Sequence, residues 1–194
     1  MGIKHIMNHE EYVIAQEGRS ADGAYREMSP WAVTFFEKYF KYVKEPILEI
    51  GCGNGAVLEY LKDKGIHAIG IDISRLSIWH CINHEKPVSA ILQDAQEPFP
   101  FPDNTFKTVI TFHTLEHMPN PEKAINEAFR VLDGNFCGIT PITEEIDLPA
   151  AHFAKFGGTE KFKLMFKDYK ILETEEIHPG LLLIANNHET KQKL

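Results

Sequence analysis

The stretch ILEIGCGNGAVLEYL, residues 47–61, decides how the rest of the sequence is read. It opens as an apolar strand, packs three glycines into a short turn, and continues as an apolar-periodic helix. Such a turn brings backbone N–H groups and a helix N-terminus up to a ligand, as in many nucleotide sites. Gly51, Gly53 and Ala56 satisfy the dinucleotide pattern G-x-G-x-x-G/A, and Gly51, Gly53 and Gly55 satisfy G-x-G-x-G equally well. The glycines therefore do not choose between ligands. Glu49 does, because it stands near the carboxyl end of the strand, two residues before the first glycine. A carboxylate there repels a pyrophosphate and suits a nucleoside that carries an ammonium group. The competing reading leaves Glu49 facing a surface lysine.

Downstream of this stretch, strands and helices alternate. HAIGIDI, VSAILQD, FKTVITF and FCGITPI read as strands, separated by helices over RLSIWHCINHE and PNPEKAINEAFRVL. Asn120 and Pro121 stand at the cap and first position of the last of these. This alternation predicts a mostly parallel, doubly wound α/β sheet. The end of the chain differs: Thr159 can cap a helix over EKFKLMFKD, and HPG (178–180) links YKILETEEI to LLLIANNH. The charged strand suits a sheet edge and the uninterrupted apolar one a buried position, so the last strand is expected to insert between its neighbours. Upstream, SPWAVTFFEKYFKYV reads as a helix capped by Ser29 with Pro30 at its first position.

The whole chain of 194 residues fits one domain with a small appendage. A formal net charge of -8 argues against a general binder of nucleic-acid backbones. The three cysteines, Cys52, Cys81 and Cys137, form no CxxC and are an odd count, so buried reduced thiols in a cytoplasmic protein are expected, with no disulfide framework and no metal. No stretch has the length of a signal-peptide core or a membrane span.

Two further carboxylates end strands. Asp72, in IGIDIS, can accept from ribose hydroxyls or lead into the next helix with Ser74 as cap. Asp94, in ILQDAQ, can accept from an adenine amino group or form a turn. HTLEH (113–117) matches H-x-x-E-H, an inverted zinc-protease pattern, but it follows a strand end and precedes Pro119, which works against the helix that pattern needs.

Taken in order, Glu49 to Gly55, Gly70 to Ser74, Gln93-Asp94-Ala95, Leu115-Glu116-His117 and EAFRVL resemble a class I S-adenosylmethionine-dependent methyltransferase of the small-molecule type. The resemblance implies a seven-stranded Rossmann-like sheet of order 3-2-1-4-5-7-6 with strand 7 antiparallel. It also implies S-adenosylmethionine as cofactor, with S-adenosylhomocysteine as product. Glu49 and the loop Gly51, Cys52, Gly53 and Gly55 would hold the methionine end. Asp72 would bind the ribose and Ile73 pack on adenine. Asp94 and the Ala95 N–H would take the adenine edge, and Phe112 and His113 would line the sulfonium region. The chain departs from the family after EAFRVL, where a single Gly134 replaces the usual KPGG; this is expected to alter only a surface turn.

No large substrate-recognition insertion exists, so the lid is expected to come mainly from residues 1–40 and 143–160, with residues 1–45 as a helical cap segment, residues 46–194 as core, and Tyr12, Arg19, Tyr25 and His152 near the mouth. His113 and His117 are the candidate general bases. The acceptor is expected to be a small molecule, with a protein side chain as a further option and nucleic acid disfavoured. Two rivals remain: a nicotinamide-dependent oxidoreductase, and a cofactor-binding module without catalysis.

Overall fold

The computed structural model describes residues 9–20, 27–141, 158–177 and 180–187. Strands β1 (Ile47–Ile50), β2 (Ala68–Asp72), β3 (Ala90–Leu92), β4 (Phe106–Phe112) and β5 (Leu132–Pro141) run parallel. With β6 (Lys170–Ile177) and β7 (Gly180–Asn186) they form one seven-stranded sheet, in the order β3-β2-β1-β4-β5-β7-β6. β7 pairs antiparallel with both β5 and β6, so the expected insertion is present. Its apolar run explains the place: Leu181 to Ala185 are all buried, whereas the glutamates of β6 sit at an edge.

Helices cover both faces. Phe35 and Phe36 of α2 (Pro30–Tyr39) and Val57 and Leu61 of α3 (Ala56–Asp63) pack with Ile47, Ile110, Ile139, Leu182 and Ile184 on one side. On the other, Phe129 of α5 (Pro121–Val131) and Phe162 of α6 (Thr159–Leu164) pack with Leu48, Val109 and Phe136. Ser29 caps α2 as expected, its hydroxyl accepting the Ala32 N–H at 3.2 Å. Lys38 pairs with Glu175 at 2.7 Å, and the Tyr39 and Tyr42 hydroxyls donate to Glu175 and Glu173, tying α2 to the β6 edge.

Four local expectations change. α5 runs straight into β5, so the family's surface turn is absent, and Gly134 lies inside a strand. A Cβ at Gly134 would stand 2.1 Å from the Lys107 carbonyl oxygen, and the glycine serves that close approach to β4, where the register shifts between Phe106 and Thr108. Asn120 makes no side-chain cap bond; its own N–H donates to Gln96 Oε1 at 2.8 Å. α6 is short and starts after Gly158, leaving the Thr159 hydroxyl to donate to Glu176 at 3.0 Å. β3 spans only three residues. Within the polar N-terminal stretch, α1 (His9–Ser20) is helical and packs on α4 (Arg75–Asn83).

Candidate active site

Parallel strands end together, and the loops beyond their carboxyl ends enclose a cavity of about 500 Å³. The loop from β1 to α3 forms its floor. Gly51 has φ +72°, and a Cβ there would meet the Thr114 side chain at 2.2 Å. Gly53 has φ +50° and lines the cavity; a Cβ there would meet nothing within 4 Å, so the backbone borders open space.

Asp72 locks this loop to β2. Its Oδ2 accepts the Gly53 N–H and its Oδ1 the Ser74 N–H, each at 2.9 Å. Burial pushes its carboxyl up, and those two N–H groups work in the opposite direction. Ser74 caps α4 by accepting the Ser77 N–H at 3.1 Å. α1 docks on the same helix end: Glu17 accepts from the Ser74 hydroxyl at 2.9 Å and from the Arg75 N–H at 2.7 Å. An acidic group at the first turn of a helix satisfies free N–H groups and the helix dipole. The docked α1 also carries Tyr12 and Gln16, which line the cavity. Glu17→Ala is expected to remove about 1 kcal/mol from that docking, and hydrogen exchange in α1 should rise roughly fivefold while β1 and β4 stay protected.

Several sequence-derived candidates share the cavity wall: Tyr12, Gly51, Gly53, Asp72, Ile73, Ala95, Phe112, His113 and His117. Four others lie behind it. Gly55 packs toward Val88 and Cys81. Cys52 is buried; a hydrogen bond with Cys81, then burial, raises its thiol's pKa, as for an inert structural thiol. Asp94 takes the turn role, its Oδ1 accepting the Gln96 N–H at 2.8 Å, while Gln93 and Ala95 on either side face the cavity. Glu49 is 4% exposed, and its Oε2 has no hydrogen-bond partner. Burial, then the neighbouring Cys81 and Asp72, hold its carboxyl well above the usual range. Asn54, in the loop, lines the cavity with an Oδ1 that also lacks a partner. Arg19 is placed in α1 by its backbone alone, and Tyr25 and His152 lie outside the described residues.

At the end of β4 the chain turns sharply. His113 has φ +51°, a left-handed conformation that costs a non-glycine residue about 1–2 kcal/mol. Its ring stands edge-on to Trp31 at 5.1 Å. A 3₁₀ turn, Leu115–His117, buries Glu116, which is 1% exposed. Glu116 Oε2 accepts from the Thr140 hydroxyl at 3.0 Å. Its Oε1 lies 3.5 Å from His113 Nδ1 and 3.6 Å from His117 Nε2. Burial pushes this carboxyl up, but the His113 hydrogen bond and the charges of both histidines outweigh it, and the net shift is downward. Sequence reading passed over Glu116 and Trp31 as site residues, although both border the cavity.

Residues 48–135 match the family described as methyltransferase domain. The matched stretch runs from β1 into β5 and carries the glycine loop, Asp72 and the turn after β4. A ubiquinone biosynthesis O-methyltransferase of Hydrogenovibrio crunogenus is 25% identical over 114 residues, which is 57% of this chain and 47% of that protein. An 18S rRNA (guanine-N(7))-methyltransferase of Bos taurus is 34% identical over 77 residues, 40% of this chain and 27% of that one. The chain thus spans less than half the length of either relative. A crystal structure of an S-adenosylmethionine-dependent methyltransferase from Anabaena variabilis superposes with a TM-score of 0.71 at 16% identity, covering 94% of this chain and 96% of the other. Among the described residues, no helix is long and apolar enough to cross a membrane.

Proposed function

We propose that this protein binds S-adenosylmethionine in the cavity and transfers its methyl group to a small-molecule acceptor. The observation that carries the reading is the pair of orphaned acceptors beside the glycine loop. Glu49 Oε2 and Asn54 Oδ1 are buried without partners, which is costly unless a donor arrives. An α-ammonium group is such a donor, and a pyrophosphate is not. Asp72 and Ile73 then face a ribose and adenine, and the Ala95 backbone the adenine edge. Asp94, turned into its own loop, acts by shaping that edge. The cofactor, when bound, supplies an electrophilic methyl on a sulfonium. The chain orients the acceptor against it, and the cavity wall, including Tyr12 of α1, shields the pair from water.

In this reading residues 1–45 act as lid and residues 46–194 as core. Three buried free thiols fit a reducing compartment such as the cytoplasm. The acidic net charge, and the lack of Lys and Arg among the described lining residues, favour a small molecule over an rRNA. Thermal shifts with S-adenosylhomocysteine and with NADH test the cofactor. Stabilisation by S-adenosylhomocysteine is expected, and stabilisation by NADH alone would sink the reading.

A further inference from the structure

Two elements meet over one end of the cavity. Asp72, Ile73 and Ser77 line it from β2 and α4, and Tyr12 and Gln16, one helical turn apart, line it from α1. Glu17 joins the two elements. Its carboxylate accepts from the Ser74 hydroxyl at 2.9 Å, the Arg75 N–H at 2.7 Å and the Leu76 N–H at 3.3 Å. Ser74 gives its own N–H to Asp72 at 2.9 Å, so a carboxylate of α1 and a carboxylate of the cavity wall share one residue. Burial pushes the Asp72 carboxyl up, and the charge of Glu17 adds to the effect. Beyond this contact α1 is thinly held. Tyr12 is its one buried side chain among the described residues, and Ile14 is 63% exposed. Tyr12 borders the cavity and stands outside the apolar clusters that fix the other helices to the sheet. An element with so little buried apolar surface opens at low cost.

We propose that α1 is a gate over the nucleoside end of the cavity, and that the contact of Glu17 with the first turn of α4 is its latch. The proposal rests on the methyl-transfer reading above. The latch breaks for cofactor to enter and for its product to leave, and it re-forms over the occupied site. The structure shows the gate shut. A nucleoside seated on Asp72 and Ile73 gives Tyr12 and Gln16 a surface to pack on, so occupancy favours closure and closure favours occupancy by the same factor. Entry and exit then pass through one opening. Weakening the latch speeds both, and the affinity hardly moves. A residue that merely holds the site in shape behaves differently: its loss lowers affinity, through slower capture or faster escape but not through an acceleration of both.

Stopped-flow binding of S-adenosylhomocysteine to the full chain tests this, read through tryptophan fluorescence, since Trp31 lines the cavity. In Glu17→Ala the association and dissociation rate constants should each rise about fivefold, with Kd held within about twofold. Glu17→Gln, which keeps an acceptor oxygen and loses the charge, should fall between variant and parent. Hydrogen exchange in the parent chain needs no variant. S-adenosylhomocysteine and 5′-methylthioadenosine, which both carry the ribose, should slow exchange in α1 at saturation, and methionine, which lacks it, should not. Failure of the parent to bind S-adenosylhomocysteine overturns the cofactor reading and the gate together. Binding with unchanged rate constants in Glu17→Ala, an affinity loss carried by one rate constant alone, or α1 exchange indifferent to both nucleosides overturns the gate and leaves the cofactor reading standing.

Discussion

Replacing Glu49 by Gln is expected to stabilise the cofactor-free protein and to weaken its hold on S-adenosylhomocysteine. The two effects have opposite signs because one group causes both. Burial holds the Glu49 carboxyl well above its usual range. The folded chain therefore binds this proton more tightly than the unfolded chain does. Stability from this group is fully present below the ordinary carboxylate pKa, and it is lost as pH rises toward the raised folded value. Near neutral pH the native state carries that penalty, and glutamine does not. The melting temperature of Glu49→Gln should exceed that of the parent, and the difference should shrink as pH falls toward the ordinary carboxylate range.

Binding should move the other way. In the proposed site the carboxylate is ionised opposite an ammonium group, and a charged hydrogen bond of this kind contributes about 1.5–3 kcal/mol. Calorimetry should show an affinity loss of roughly tenfold to hundredfold in the variant. In the parent, the binding heat should depend on the ionisation enthalpy of the buffer, since Glu49 gives up its proton. Equal affinity in parent and variant would remove Glu49 from the site.

The sequence made the sheet legible for a physical reason. Parallel strands buried on both faces must be apolar throughout, so ILEI, AIGID and TVITF announce themselves. The insertion of β7 was legible because LLLIA cannot tolerate an edge and LETEE can. The turn that floors the cavity was legible too, since Gly51 and Gly53 both adopt a positive φ that favours glycine. The roof was not. Glu17 and the first turn of α4 are far apart in sequence, and their bond leaves no periodic trace in HEEYVIAQEGRS.

Adjacent positions were confused for a related reason. Gln93 and Ala95 border the cavity, while Asp94 turns its Oδ1 to the Gln96 N–H in the turn that follows β3. The acidic residue drew attention by its chemistry, but the turn decided its role. Glu116 was overlooked because a buried carboxylate inside LEH has no signature until Thr140, on the neighbouring strand β5, comes up beneath it.

Asp72→Ala should have a larger effect than Glu49→Gln, because Asp72 shapes the loop as well as facing the proposed ribose. The carboxylate bridges two backbone N–H groups, those of Gly53 and Ser74. Alanine leaves both without an acceptor in a buried setting, at a cost of about 1–3 kcal/mol for each buried donor left unpaired. Gly53 then loses the anchor that holds its positive φ, and the glycine turn can relax toward other conformations open to a residue without a side chain. The melting temperature should fall, and S-adenosylhomocysteine affinity should drop by at least about a hundredfold, from the lost ribose contact and the lost preorganisation together. Asp72→Asn separates these contributions. Its carboxamide oxygen can keep one of the two backbone bonds, so it should recover part of the stability while recovering less of the binding. If Asp72→Asn and Asp72→Ala lose stability equally but bind the ligand like the parent, Asp72 is a purely structural staple, and the ribose role must be assigned elsewhere in the cavity.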